Sequence, residues 1–388
     1  MRTRILALLV LLTLAAVACG GGPLDGDPQA GGGDASDGAS AGASDGASET
    51  DEVATSTCKE GETDGDITLY NWTEYMDPAL LKKFRKEHGV KVTEDFYPSN
   101  EELLARIQGG ASGYDVIVPS DYMVSIMIKE GLLVKLSPDA IPNRENVAAD
   151  FASPPYDPEL AYSMPFQFGT TGLGVNLEEM PEDFPRSWSL IFDPEVSEQF
   201  SGRISLLDDP RETIGAALKY LGYSLNETDD EKLQEAADLV RDASTRLAAF
   251  TSDQYSDFLV GGETTIGHGF SGTWQFAFVE QDNFEQWEYF VPEEGGTIWT
   301  DNMAVLANSE HPCSSQTFIN FILDGENGAQ LSNWTYYESP NEAAQKGIDK
   351  VVTDLAKIDP ATKEKLEFIE DTGDDEIKFN DLFNRSKG

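Results

Sequence analysis

The sequence is poor in cysteine, histidine and basic residues, and these shortages exclude several classes of protein. Three Cys and three His occur in 388 residues, and 27 Lys and Arg stand against 70 Asp and Glu, a formal net charge of −43. His88, His268 and His311 are widely separated and no Cys-x-x-Cys motif occurs, so we expect no metal site and no cofactor. The electrostatic field of a protein with this net negative charge repels nucleic acid, and we therefore exclude nucleic acid as a partner.

Long apolar runs are also absent, except for one near the start of the chain. Arg2 and Arg4 precede an apolar run at 5–17, and Cys19 follows directly after Ala18. A run this short after basic residues predicts a signal peptide, residues 1–18, rather than a membrane-spanning helix. A cysteine at this place resembles a bacterial lipobox. The resemblance implies that a lipidated Cys19 anchors the protein to the cell membrane, on its extracytoplasmic side. Ordinary cleavage with an incidental Cys19 is the alternative.

Aromatic and basic residues are missing from residues 20–57, which are almost entirely Gly, Ala, Ser, Asp, Glu and Thr. Such a composition cannot bury enough apolar surface to offset the entropy of ordering, so we predict a disordered acidic linker at 19–58. A flexible chain of this length spans roughly 35 Å. It would let a globular body move above a membrane.

Cys58 and Cys313 are the two cysteines that remain beside Cys19. Outside the cytoplasm two such thiols tend to pair, and we predict a disulfide between them. Two buried free thiols are the alternative.

The rest of the chain, some 330 residues, exceeds the usual size of a single core and favours two lobes. Alternating strand and helix patterns with short connections predict an α/β fold with mostly parallel sheets. Strands are predicted at 67–70, 90–97, 114–118, 168–176, 202–207, 264–270 and 297–307. Helices are predicted from Asp77 to Gly89, from Ser99 to Gly109, and at 122–130, 213–221, 318–323 and 343–358. A long amphipathic helix is also predicted within 226–250, with Thr228 or Asp229 as its cap.

Ligands of open parallel sheets bind beyond the carboxyl ends of the strands. The segments of interest are 71–75, 120–122, 208–212 and 270–273, at or just after the ends of predicted strands, and 299–301, within the strand predicted at 297–307. Four of the five combine an aromatic ring with carboxylates or small hydroxyls, and 208–212 contributes three carboxylates without a ring. Carboxylates are strong acceptors for ammonium groups, and indole faces attract cations and cover methylenes. The pattern therefore favours a slot for a polyamine.

Five segments resemble the spermidine/putrescine-binding proteins of bacterial ABC importers, in the same order along residues 66–345. They are 69–75 (LYNWTEY), 114–122 (YDVIVPSDY), 207–212 (LDDPRE), 295–301 (GGTIWTD) and 337–341 (YESPN). The resemblance implies a monomeric binding protein that delivers its ligand to the permease subunits of an importer.

The resemblance also implies a two-lobe fold of the type II periplasmic binding proteins. Each lobe would hold a mixed, mostly parallel sheet flanked by helices. Lobe 1 would comprise 66–173 and 301–345, and lobe 2 would comprise 177–297 and 346–388. Strand crossovers near 173–176 and 297–301 would act as the hinge on which the lobes close.

The resemblance assigns carboxylates to each amine of the ligand. Glu74, together with Thr73, would bind one terminal amine. Asp209 and Glu212 would bind the other from the opposite lobe. Asp301 would hold a secondary amine near the middle of the slot.

Aromatic and hydroxyl contacts complete the implied site. Trp72, Tyr75 and Trp299 would form walls around the methylenes. The further contacts are Ser120, Tyr122 and Tyr337.

Two positions depart from the family pattern. Phe270 stands where the family usually has Trp, which keeps an apolar wall but weakens the cation–π face. Thr273 stands where putrescine-selective members tend to carry Asp, which favours spermidine. A polar contact that the family draws from its C-terminal region cannot be placed between 367 and 375.

Three alternatives remain open. Asp208, Asp209, Glu212 and Asp301 could serve a glycosidase-like hydrolase, although no Gly-x-Ser-x-Gly motif and no plausible Cys–His pair is present. The ligand could instead be putrescine alone, an amino acid, an opine or another organic cation. A ligand carboxylate would require a basic residue in the slot, and Arg211 is the candidate, although we expect it to orient the neighbouring acids. The third alternative is a purely structural surface lipoprotein.

Overall fold

The computed structural model describes residues 55–387, apart from residues 282, 356, 357 and 359. The predicted signal peptide, Cys19 and nearly all of the predicted linker lie outside the described residues. Within the described range, no helix combines the length and the hydrophobicity needed to cross a bilayer.

The strands pair into a nine-stranded mixed sheet. They are β1 (Ile67–Asn71), β2 (Val92–Phe96), β3 (Val116–Ile117), β4 (Ser163–Asn176), β5 (Ile204–Leu206), β6 (Leu247–Phe250), β7 (Ile266–Phe270), β8 (Trp287–Phe290) and β9 (Ile298–Val305).

Helices flank both parts of the sheet. They are α1 (Pro78–His88), α2 (Asn100–Gln108), α3 (Asp121–Lys129), α4 (Ser189–Phe192), α5 (Pro194–Ser197), α6 (Pro210–Tyr220), α7 (Asp230–Ser244), α8 (Tyr255–Val260), α9 (Ser271–Val279), α10 (Pro312–Ile322), α11 (Gly325–Thr335), α12 (Lys350–Leu355), α13 (Pro360–Lys363) and α14 (Glu376–Ser386).

Strand order explains how two cores arise in one sheet. The order is β2-β1-β3-β9-β4-β7-β5-β6, with β8 also paired to β4. β1 is parallel to β2 and β3, and β5 is parallel to β6 and β7. Between these parallel groups, β4 and β9 run antiparallel to each other, and β4 then pairs with β7. The predicted α/β class with a mixed sheet is confirmed, but the pairing is not mostly parallel, because four of the strand pairs are parallel and four are antiparallel.

Apolar side chains form separate cores on the two sides of the β4–β9 ladder. One core packs Leu69, Phe84 and Phe318 around the β1 side of the sheet. Another packs Ile204 and Val240 with α6, α7 and α14 on the β5 side. Both cores include side chains of β4: Met164 and Phe166 belong to the first, and Leu173 and Val175 belong to the second.

Two helix predictions differ from the structure. The helix predicted within 226–250 forms and is capped by Asp229 as expected, but it ends at Ser244, and β6 then pairs in parallel with β5. The segment 343–358 is not one helix, because only α12 and a short 3-10 turn at Gln345–Gly347 form within its described part. A Cβ on Gly347 would lie 2.8 Å from Cβ of Ala329, so this close packing requires glycine.

Several predicted elements have other bounds in the structure. The predicted strand at 114–118 shortens to the two residues of β3. The helix predicted at 213–221 begins earlier, because Asp209 caps α6 and Pro210 opens it. The helix predicted at 318–323 is the second half of α10. The elements that were not predicted are α4, α5, α8, α9, α11, α13, α14, β6 and β8.

A disulfide joins Cys58 to Cys313, whose Cα atoms are 5.3 Å apart. It holds the start of the described chain against the first turn of α10. Asp64 also accepts hydrogen bonds from the backbone N–H groups of Cys313 and Ser314. The N-terminal segment is therefore attached to the β1 side of the fold at two points.

His268 is fully buried in β7, and neither of its ring nitrogens has a hydrogen-bond partner. Burial lowers the pKa of His268 to about 3. Its ring meets the edge of Trp188, with centroids 5.1 Å apart. Because the unfolded chain binds the proton more tightly, this residue reduces folding stability as the pH falls from about 6.5 toward 3.

Replacing His268 by Leu should therefore remove an acid-sensitive element from the core. We expect the variant to gain on the order of 2 to 3 kcal/mol of stability relative to the parent between pH 7 and pH 4. Urea unfolding of both proteins at the two pH values measures this difference. A stability difference that does not change with pH would contradict the buried, neutral assignment.

Candidate functional site

A cavity lies beside the carboxyl ends of β1, β3, β5 and β7, on one face of β9. All twelve ligand contacts predicted from the sequence line it. They are Trp72, Thr73, Glu74, Tyr75, Ser120, Tyr122, Asp209, Glu212, Phe270, Trp299, Asp301 and Tyr337.

Most of these residues are positioned by the end of a strand, whereas Trp299 and Asp301 lie within β9 and Tyr337 follows α11. Residues 72–75 follow β1, and Glu74 adopts a left-handed backbone with φ of 56°, which is uncommon outside glycine. Ser120 and Tyr122 lie at the start of α3, just after β3, and Asp209 lies at the start of α6, just after β5. Strand alternation in β9 directs Trp299 and Asp301 to the same face.

Aromatic rings form a continuous wall along the cavity. The ring centroids of Trp72 and Phe270 are 6.3 Å apart, and those of Phe270 and Trp299 are 6.0 Å apart. Tyr337 continues the wall, with centroids 5.3 Å from Trp299 and 5.1 Å from Tyr75. The indole N–H of Trp72 donates to the carbonyl of Val118 at 2.9 Å, which fixes its ring plane.

Asp301 lies in the middle of the cavity and is only 5% exposed. Its Oδ1 accepts a hydrogen bond from the Ser120 hydroxyl at 2.7 Å. Burial raises the pKa of Asp301 to about 7, although the Ser120 bond opposes that shift. A positive group beside this carboxylate would restore its ionised form.

Asp209 and Glu212 form the acidic pole of the lobe that contains α6. Oδ1 of Asp209 caps α6 by accepting from the N–H groups of Arg211 and Glu212, both at 3.0 Å. Glu212 accepts from the hydroxyls of Thr171 at 2.9 Å and Thr297 at 2.8 Å. Burial raises the pKa of Glu212 to about 7 and raises that of Asp209 well above its ordinary value.

The opposite end of the cavity is open. Thr73 and Glu74 are exposed, and the Thr73 hydroxyl donates to Asp253 at 2.7 Å. Since Thr73 follows β1 and Asp253 follows β6, this bond joins the two sides of the cavity at its mouth. The cavity thus has a buried acidic interior and an exposed acidic mouth.

The predicted role of Arg211 is only partly correct. Its backbone N–H orients Asp209, but its buried guanidinium turns away from the cavity. There it binds both carboxylate oxygens of Glu376, Oδ1 of Asn226 and the carbonyl of Glu370. Within the described chain it offers no cation to a ligand carboxylate in the slot.

Nine lining residues are missing from the prediction. They are Tyr97, Pro98, Asn100, Asp121, Ser252, Asp253, Tyr255, Thr273 and Ile369. Asp121 could have been found, because it stands between two predicted contacts. Asp253 and Tyr255 follow β6, which the helix predicted within 226–250 concealed.

Ile369 occupies the cavity from the C-terminal segment, where a polar family contact could not be placed. Its side chain is 6% exposed and packs with Tyr122 and Tyr97. The contribution of this segment to the cavity is therefore apolar.

Asp121 adds a fourth buried carboxylate to the middle of the cavity. It accepts from the N–H groups of Tyr122 at 2.8 Å and Thr300 at 3.1 Å. Burial raises its pKa to about 8, and the charges of Asp301 and Glu212 contribute to that rise.

Among the described residues, no three or more His, Cys, Asp or Glu side chains are grouped so that they could hold a metal ion.

Comparison with known proteins gives consistent results. The family model for the bacterial extracellular solute-binding protein matches residues 79–360. The chain is 36% identical over 312 residues to a putrescine/cadaverine-binding protein of Pseudomonas aeruginosa, covering 79% of this chain and 88% of that one. It is 34% identical over 295 residues to the spermidine/putrescine-binding periplasmic protein of Escherichia coli K12, covering 76% and 83%.

Solved structures agree with these relatives. A chain attributed to a spermidine/putrescine ABC transporter of Listeria monocytogenes has a TM-score of 0.78 and 32% identity, covering 84% of this chain and 99% of its own. The TpPotD lipoprotein of Treponema pallidum has a TM-score of 0.69 and 31% identity, covering 83% and 99%. The resemblance predicted from five motifs and the two-lobe fold it implied are confirmed. The relatives are binding proteins of transporters, in agreement with the prediction that the chain is not an enzyme.

Asp301 should destabilise the empty protein at alkaline pH. Its pKa is about 7 when folded and about 3.9 in an unfolded chain, so stability is lost as the pH rises between these values. We expect Asp301→Asn to raise the unfolding free energy by about 2 to 4 kcal/mol at pH 8 and by little at pH 4. Urea unfolding without ligand measures this, with the exposed Asp208→Asn as control. Equal effects at both pH values would contradict the assignment.

Proposed function

This chain belongs to the bacterial extracellular solute-binding protein family, and from that premise we propose that it captures a polyamine, with spermidine favoured over putrescine, for an ABC importer. The observation that carries the proposal is a set of buried carboxylates inside an aromatic-walled cavity. None of Asp121, Asp209, Glu212 and Asp301 forms an ion pair with a Lys or Arg of the described chain.

Buried carboxylates without a counter-ion are costly, so the cavity is complementary to a guest that brings positive charge. An ammonium group carries only donors, which suits a set of carboxylate acceptors. The aromatic wall from Trp72 to Tyr75 would cover the methylenes between the ammonium groups. A neutral sugar or an anionic amino acid would leave these acids uncompensated.

Spermidine fits this arrangement better than putrescine because it has a third, secondary amine. Asp209 and Glu212 would bind one terminal amine, and Glu74 with Thr73 the other. Asp301, between these poles, would hold the secondary amine. Thr273 supports the same preference, since it adds no further carboxylate to the cavity.

Capture would proceed by closure of the lobes about the crossovers in β4 and β9. The proposed lobes are 66–173 with 301–345 and 177–297 with 346–388. The contact between Thr73 and Asp253 would form on closure. Permease subunits of the importer would then recognise the closed monomer.

The proposal includes a lipid anchor at Cys19 and a linker at 19–58 that tethers the body outside the membrane. The signal peptide at 1–18 and the Cys that follows it support this proposal. So does the likeness to a lipoprotein of Treponema pallidum.

Removing one carboxylate should weaken spermidine binding. We expect Glu212→Gln and Asp301→Asn each to cost roughly 2 to 5 kcal/mol of binding free energy, the usual loss when one partner of a buried charge pair is removed. Calorimetric titration measures this, with Asp208→Asn as a control because Asp208 pairs with Lys387 outside the cavity. Spermidine should also raise the melting temperature more than putrescine at equal concentration.

Unchanged spermidine affinity in both cavity variants would eliminate the proposed site. Equal melting shifts with the two polyamines would eliminate the spermidine preference but leave polyamine capture intact. A parent protein that binds neither compound would contradict the function itself.

Binding should release protons near neutral pH. The pKa values of Glu212 and Asp301 are raised by burial to about 7 and that of Asp121 to about 8, and ammonium groups would lower them. We therefore expect spermidine affinity to fall as the pH drops from 8 to 6. Calorimetry in buffers of different ionisation enthalpy counts the protons released. No proton release and a flat pH profile would contradict the account.

A further inference from the structure

The first turn of α2 lies directly behind two hydroxyl groups of the cavity. Ser99 caps this helix by accepting from the N–H of Glu102 at 3.2 Å. The two residues between them, Asn100 and Glu101, direct their side chains to Ser120 and Tyr122. The first turn of α2 therefore also binds side chains that line the cavity.

Asn100 binds Ser120 with both of its polar atoms. Its Oδ1 accepts from the backbone N–H of Ser120 at 3.1 Å, and its Nδ2 donates to the Ser120 hydroxyl at 3.0 Å. A backbone N–H can only donate, so the amide must present its oxygen there and its NH₂ to the hydroxyl. The Ser120 hydroxyl consequently donates onward to Asp301 at 2.7 Å.

Glu101 fixes the second hydroxyl. Its Oε1 accepts from the Tyr122 hydroxyl at 2.7 Å. Its Oε2 is buried, and the described chain provides no hydrogen-bond partner for it. Burial raises the pKa of Glu101, and the hydrogen bond from Tyr122 opposes that rise. The ionised carboxylate can only accept, so in this form it takes the phenol proton of Tyr122 and the phenol oxygen keeps its lone pairs.

We propose that Asn100 and Glu101 are positioning residues that make Ser120 and Tyr122 act as acceptors toward the ligand. The inference rests on the proposed function. Hydroxyl groups can donate or accept, whereas an ammonium group only donates. A slot for ammonium groups is therefore complete only when each hydroxyl on its wall has its own proton bound elsewhere. Glu101 achieves this from outside the cavity lining, and Asn100 achieves it from the edge of that lining.

The role of Glu101 is tested by a double-mutant cycle with Tyr122. We expect Glu101→Gln to weaken spermidine binding about tenfold, the effect of losing roughly 1.4 kcal/mol. In a Tyr122→Phe background the same change should cost less than about threefold, because the hydroxyl that Glu101 orients is gone. Glu102→Gln, an exposed acid in the same turn, is the matched control and should leave affinity unchanged.

The role of Asn100 is tested by a substitution for which two explanations predict opposite changes in spermidine affinity. Asn100→Asp adds a negative charge near a cationic ligand, so simple electrostatics predicts tighter binding. Asp cannot donate to the Ser120 hydroxyl, however, and instead competes with Asp301 for its proton. We therefore expect spermidine binding to weaken, by about fivefold on the scale of one weakened hydrogen bond.

Ligand-free melting temperatures of all variants establish that each one folds. Equal effects of Glu101→Gln in both backgrounds would show that Glu101 acts as a charge alone and would overturn its positioning role. Tighter or unchanged binding by Asn100→Asp would overturn the role of Asn100. These results are separable from a failure of the proposed function, in which the parent protein itself would bind no polyamine.

Discussion

The burial of carboxylates without cationic partners is the constraint on which the rest of this structure depends. Asp209 and Asp301 are 3% and 5% exposed, and the pKa values of the buried acids rise because water is withdrawn from them. Such an arrangement is unfavourable in an empty protein and becomes favourable only when positive charge arrives. Binding, proton release and lobe closure are then consequences of one electrostatic requirement.

The same acids also accept hydrogen bonds that stabilise the fold. This explains how several separate elements each contribute a carboxylate to one site. Asp209 caps α6, and Asp121 accepts from the first turn of α3 and from β9. An acid at a helix N-terminus satisfies backbone N–H groups that would otherwise lack partners. Strands that end beside one another therefore deliver capped helices and carboxylates to one edge of the sheet.

Much of the site could be predicted from the sequence because it follows a local rule. Segments such as 71–75 and 299–301 are recognisable from strand patterns, and the carboxyl ends of neighbouring strands converge. The five motifs then supplied the order of contacts. The convergence of Glu74, Glu212 and Asp301 did not follow from the residue patterns alone: the resemblance implied it, and the structure places the three in one cavity lining.

The remaining features depend on long-range packing. The antiparallel pairing of β9 with β3 and β4 joins segments far apart in sequence, and strand patterns alone do not give it. β6 was not predicted because a helical pattern precedes it, and Asp253, which follows β6, was therefore not predicted either. Ile369 comes from a segment without periodicity. Glu101 was not predicted because its position in the first turn of α2 does not indicate that its side chain will contact the Tyr122 hydroxyl.

Small-angle X-ray scattering tests the central claim most directly, because it reports whether the body closes only around positive charge. The radius of gyration would be measured for the protein alone, with spermidine, and with 1,8-octanediol, a neutral chain of similar length. The account predicts a smaller radius with spermidine and no change with the diol. An equal decrease with both compounds, or none with spermidine, would contradict it.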